Sequence, residues 1–173
     1  SGNANAVTGV QGMSDAQAMA HAAAAALGVP ADSILVMSTG VIGQALPMER
    51  VTPGIAAAAQ ALDTSPDAGH RVARAIMTTD TFAKAAATQV EVDGRTVSIA
   101  GVAKGAGMIA PNMATLLSVI VTDAAATPSA LRAALTSAAD RSFNSITVDG
   151  DMSTNDTLLV LANSQAGNTL LMG

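Results

Sequence analysis

The chain has 173 residues, enough for one domain with a core of its own. Half of it is hydrophobic, but with two Phe, no Trp and no Tyr the core must be built from alanine and small aliphatic side chains. A net charge of -5 with no basic run argues against a nucleic-acid groove. The lack of cysteine rules out disulfides, thiolate catalysis and cysteine metal sites, and fits a reducing compartment.

Ser14 is expected to cap a helix over residues 14–27, with Asp15 in its first turn and Gly28 and Pro30 ending it. A short strand is predicted over 34–37, closed by a turn at Ser38-Thr39-Gly40. Helices are predicted over 53–62, from Pro53, and over 67–77, with Asp63 to Pro66 as the break between them. His21 and His70 fall on helices without ligand spacing and receive no role. Val90-Glu91-Val92, Asp93-Gly94 and residues 95–99 form the clearest hairpin signal, because Asp-Gly supplies the positive φ angles of a tight primed turn.

Residues 115–122 read as a buried, near-continuous apolar strand. A helix over 128–139 opens at Pro128. Strands are predicted over 145–148 and 157–162, separated by a polar loop. This mixture implies an α/β fold with helices covering a mixed sheet. Mean hydropathy is high at +0.41, but its apolar residues sit in short segments, too short to span a bilayer. No signal peptide is visible. The ends, Ser1-Gly2-Asn3 without an initiator Met and Leu171-Met172-Gly173, are expected to be cuts through a larger protein or processing products.

Four places could carry chemistry. The run Lys104-Gly105-Ala106-Gly107-Met108-Ile109-Ala110-Pro111-Asn112-Met113-Ala114-Thr115 is a glycine-loosened, uncharged loop leading into the apolar strand. A threonine hydroxyl is a poor nucleophile, but cleavage of the preceding bond frees an α-amine that can act as its base. Ala114-Thr115 is therefore a candidate self-cleavage junction. A threonine opening a strand also simply fits the pleat, so the residues alone leave both readings open. Thr39 and Gly40, in Met37-Ser38-Thr39-Gly40-Val41-Ile42-Gly43, offer donors that could stabilise an oxyanion; an ordinary turn explains the same residues. In Thr78-Thr79-Asp80-Thr81, Thr79 or Asp80 could cap a local turn. Lys104 could hold a substrate carboxylate or be merely solvated. Residues 149–156 superficially resemble a calcium loop but lack its final glutamate.

Together these segments resemble the ornithine acetyltransferase family of arginine biosynthesis, also called bifunctional glutamate N-acetyltransferase. The carriers are Ser1-Gly2-Asn3-Ala4-Asn5-Ala6, the Ser38 to Gly43 loop, Thr78-Thr79-Asp80-Thr81, the long block from Gly101 to Asp123, and Ser153-Thr154-Asn155-Asp156-Thr157. The resemblance implies a layered sandwich with outer helices over mixed sheets, the ornithine acetyltransferase/DmpA-like fold. It implies a single incomplete catalytic domain over 1–173, since family members are about twice as long, and self-cleavage between Ala114 and Thr115. It also implies acetyl transfer from N-acetylornithine to glutamate through acetyl-Thr115, with Thr39 and Gly40 as oxyanion donors and Thr78, Lys104 and Thr115 as substrate-binding residues. No cofactor and no metal is implied. The expected partners are the rest of the same precursor, in a heterotetramer of two cleaved chain pairs in the cytoplasm, with neither nucleic acid nor membrane. An amidase or aminopeptidase with the same acyl-enzyme, or an inactive structural fragment, stays open.

Overall fold

The computed structural model describes residues 2–110 and 116–173. It divides into two compact units, Ser1–Ala68 and Gly69–Gly173.

In the first unit, strand β1 (Gly2–Asn3) pairs in parallel with β2 (Gly40–Val41), Gly2 opposite Gly40. Helices α1 (Gly9–Leu27) and α2 (Met48–Gln60) pack together. Their alanine-rich runs favour helix and allow close approach. Gly28 ends α1 in the left-handed conformation at φ 69°, its N–H donating to Ala24 O.

The expected start of α1 at Ser14 is corrected to Gly9. Gly9 and Gly12 look like breakers, yet Gly12 is buried where an added Cβ would sit 2.0 Å from Thr8 Oγ1. Asn5 seals this end, accepting from Thr8 Oγ1 at 2.8 Å and donating to Gly12 O at 3.0 Å. Ser14 is exposed inside the helix, while Asp15 is buried and accepts from Gln11 Nε2 at 2.8 Å.

Helix α2 likewise begins at Met48, not at Pro53. The carbonyl of Pro47 accepts from Arg50 and Val51 N–H, opening the helix one turn early, with Leu46 buried as its anchor. The strand expected over 34–37 is absent; a 3-10 turn (Ala31–Ser33) leads into unpaired backbone, and Leu35 and Val36 stay exposed.

Helix α3 (Pro66–Ala75) runs across the division of the chain and ends two residues before the expected position. The second unit is built on a four-stranded mixed sheet, ordered β3 (Lys84–Val92), β4 (Arg95–Lys104), β5 (Leu117–Thr122) and β6 (Thr157–Ala162). The β3–β4 hairpin turns at Asp93 and Gly94, with φ 51° and 72°, as the Asp-Gly signal requires. Strand β5 runs antiparallel to β4, Lys104 opposite Leu117, and parallel to β6, Leu117 opposite Thr157.

A parallel pair needs a long crossover. Here it contains α4 (Pro128–Asp140), capped by Thr127 Oγ1, which accepts from Ala130 N at 3.2 Å. Helix α4 and strand β6 match expectation, but the strand predicted over 145–148 does not form. Its apolar run is too short to join a ladder: residues 143–145 are a 3-10 turn, and Val148 makes an isolated bridge to Ile109. Burial of β5 is complete at Leu117 and Ser118 and declines to 47% exposure at Val121, so two-sided coverage holds only at the start of the strand. Among the described residues, no helix is long and apolar enough to cross a membrane.

Candidate active site

The sheet of the second unit brings a group of charges to one end of β4. Lys104 is the last residue of that strand and only 2% exposed, so it is neither solvated nor part of a loose loop. Burial pulls its ammonium below the ordinary range. The carboxylates of Asp80 and Asp156 oppose that, and the nearby Lys84 adds to the lowering.

Asp80 is the hub of the group. Its Oδ1 accepts from Lys84 Nζ at 2.6 Å and from Gly105 N–H at 2.8 Å, and its Oδ2 accepts from Thr78 N–H at 3.2 Å. Burial raises its pKa, but the Lys84 ammonium and the two backbone donors outweigh burial and bring it down to about 2. Asp80 therefore closes a local turn, as its sequence setting suggested, and also ties that turn to the end of β4. Lys84 spans two environments, with its Nζ 4.6 Å from the centre of the Phe82 ring.

Asp156 faces the same end from the residue before β6. Burial raises its carboxyl, while Leu116 N–H, the Ser153 hydroxyl and Lys104 hold it down. Leu116 N–H donates to its Oδ1 at 2.8 Å, and Leu116 O accepts from Thr157 N–H at 2.9 Å. Beside these groups lies a cavity of about 400 Å³, lined by Thr81, Phe82, Lys84, Lys104, Leu116 and Phe143 among others. An ammonium at the wall of a largely apolar cavity suits a small carboxylate-bearing ligand.

Thr78 joins this group through its backbone and leaves its side chain exposed. Ala114 and Thr115 lie outside the described residues. Thr39 and Gly40 belong to the first unit. Gly40 opens β2, at φ 134°, and does not end a strand; a Cβ there would lie 2.1 Å from Gly2 O, so no other residue fits. Hydrogen bonds from Ala4 N–H to Val41 O, from Gly43 N–H to Ala6 O and from Ser38 Oγ to Ala4 O, at 2.8–2.9 Å, clamp this loop to the N-terminal segment.

In the loop that resembled a calcium site, Asp149 closes turns. Its carboxylate accepts from Met108 and Asp151 N–H, which lower its pKa. Among the described residues, no group of three His, Cys, Asp or Glu is placed to hold a metal. Reasoning from sequence missed Asp156 and the wider role of Asp80. The available signal for Asp80 was its i, i+4 pairing with Lys84 in a chain with only 12% charged residues.

The model of the ArgJ family matches residues 1–171. The chain belongs to the ArgJ family. This is the ornithine acetyltransferase family that its motifs resemble. It is 61% identical over 172 residues to the arginine biosynthesis bifunctional protein ArgJ of Symbiobacterium thermophilum, covering 99% of the chain and 42% of that protein. It is 54% identical over 171 residues to the mitochondrial ArgJ protein of Meyerozyma guilliermondii, covering 99% and 39%. The chain thus spans about two-fifths of the length of these relatives. The crystal structure of the ArgJ protein of Bacillus halodurans is similar at a TM-score of 0.59 and 43% identity, covering 64% of this chain and 57% of that one. The mixed α/β fold is that of ArgJ proteins.

Proposed function

We propose that the chain is the central part of a self-processing acetyltransferase of arginine biosynthesis, which moves an acetyl group from N-acetylornithine to glutamate. The observation that carries this reading is the buried Lys104 at the wall of the cavity, with the carboxylates of Asp80 and Asp156 opposing the loss of its charge on burial. Such a lysine recognises the carboxylate that both substrates share.

Water is added across the bond between Ala114 and Thr115 first, leaving a carboxylate on Ala114 and a free α-amine on Thr115 in two chains that stay together. The Thr115 hydroxyl then attacks the acetyl carbonyl of N-acetylornithine, its proton passing to the freed α-amine. Thr39 Oγ1 and Gly40 N–H donate to the oxyanion. The intermediate collapses, the amine of ornithine leaves with that proton, and acetyl-Thr115 remains. Attack by the glutamate amine on this ester releases N-acetylglutamate and restores the threonine. Thr78 and Lys104 hold the substrate, and no cofactor takes part. The working unit is a cytoplasmic heterotetramer of two cleaved pairs, completed by the remaining parts of the same precursor.

Intact-mass analysis and N-terminal sequencing of the full-length protein test the first step, and Thr115→Ala should abolish both cleavage and transfer. Thr115→Ser should keep part of each. A folded, active protein with no new N-terminus at Thr115 refutes the mechanism. Glutamate added to the acetyl-enzyme should yield N-acetylglutamate; free acetate as the sole product would instead assign an amidase.

A further inference from the structure

The two hydrogen bonds at Leu116 are a built feature. Its carbonyl is taken by Thr157, the first residue of β6, and its N–H by Asp156, the residue before. The sheet accounts for the first bond. The second uses a carboxylate that stands outside the strand, and the other oxygen of that carboxylate, Oδ2, is buried without a hydrogen-bond partner among the described residues. The Ser153 hydroxyl and Lys104 favour the charged form of this carboxylate, but neither they nor the sheet account for its placement on the Leu116 N–H. The Leu116 N–H belongs to the planar peptide unit that begins at Thr115.

We propose that Asp156 is a positioning residue: by accepting the Leu116 N–H it fixes the backbone directly after residue 115 in the orientation that self-cleavage and acetyl transfer require. This rests on the reading of Thr115 as nucleophile. Asp156 acts through Leu116 and exchanges no proton with substrate. The positioning needs an acceptor at Oδ1 and not a negative charge, so an asparagine can supply it.

The test uses the full-length protein with Asp156→Ala, Asp156→Asn and Asp156→Glu. Cleavage is followed by intact mass, and turnover is expressed per acetylatable site from the burst of acetyl-enzyme. In folded Asp156→Ala, self-cleavage and kcat per site should each fall by roughly 100-fold, the cost of a misplaced reacting group. Loss of the Asp156 charge beside Lys104 should change KM to the same extent in Asp156→Ala and Asp156→Asn, so the difference in kcat between these two variants isolates the positioning. Asp156→Asn should remain within about 5-fold of the parent, its amide oxygen accepting the same N–H. Should the alanine variant fail to fold, Asp156→Glu carries the test: one added methylene displaces the acceptor and should lower kcat by about 10-fold or more.

Parent-like kcat per site in the folded alanine variant, or in the glutamate variant where the alanine variant does not fold, overturns the proposal. So does an asparagine variant as impaired as alanine. If Thr115→Ala is inactive while Asp156→Ala is not, the positioning role alone falls. If Thr115→Ala still cleaves and transfers, the underlying reading falls instead.

Discussion

Replacing Asp80 by asparagine should destabilise the protein in a pH-dependent way whose size follows from its surroundings. The carboxylate pKa falls from 3.8 to about 2 on folding, because Lys84, Gly105 N–H and Thr78 N–H together outweigh the effect of burial. At about 1.4 kcal/mol per pKa unit, this corresponds to roughly 2 kcal/mol of stability at neutral pH. The pKa is depressed in the folded state, so the contribution is present above the unfolded pKa near 4 and is lost as pH falls towards 2; about half remains at pH 3. Urea unfolding of parent and Asp80→Asn between pH 7 and pH 3 measures this. The gap in unfolding free energy should be about 2 kcal/mol at pH 7 and narrow to about 1 kcal/mol at pH 3. A gap that is constant with pH, or below about 0.5 kcal/mol at pH 7, would refute the assignment of Asp80 as an ionised hub.

Gly40→Ala should cost at least about 3 kcal/mol, combining a clash with Gly2 O and a strained positive φ; thermal melting would show it as a markedly lower Tm. Lys104→Ala removes a buried cation that faces Asp80 and the half-buried Asp156, while Asp80 keeps Lys84, and should destabilise by about 1–3 kcal/mol. In processed protein, steady-state kinetics should also show a raised KM for N-acetylornithine, and Lys104→Arg should not restore it, because a planar fork does not replace a compact ammonium. Thr127→Ala removes the cap of α4 and should cost about 1 kcal/mol in chemical denaturation, with kinetics unchanged.

The legible parts of the fold were those whose signals are local. Asp93-Gly94 carries its own turn chemistry, and Pro128 marks the start of a helix that the structure places at that residue. The start of α1 was hidden because Gly12 serves a close approach by the Thr8 and Asn5 side chains within the first turns, a packing reason that a breaker rule cannot see. Residues 34–37 have strand composition but find no ladder, and a four-residue apolar run has too little periodicity to decide the matter. At the site, Lys104 was visible as a lysine beside glycines, but its burial was not. Asp80 meets Gly105 across 25 positions and Asp156 meets Leu116 across 40, separations that leave no trace in local pattern.

The register of the sheet has a topological consequence. Lys104 and Leu117 are opposite neighbours, and the ladder continues from them to Ile99 and Thr122. A break anywhere in the intervening connection leaves one fragment supplying β3 and β4 and the other supplying β5 and β6. The fracture line then runs through the middle of a single hydrogen-bonded sheet, with Leu117 and Ser118 buried along it. The fragments could not separate as docked subunits do, by parting at a preformed surface. They would have to dissolve their shared sheet, so nicked protein should resist dilution yet come apart at the same denaturant concentration at which the fold is lost.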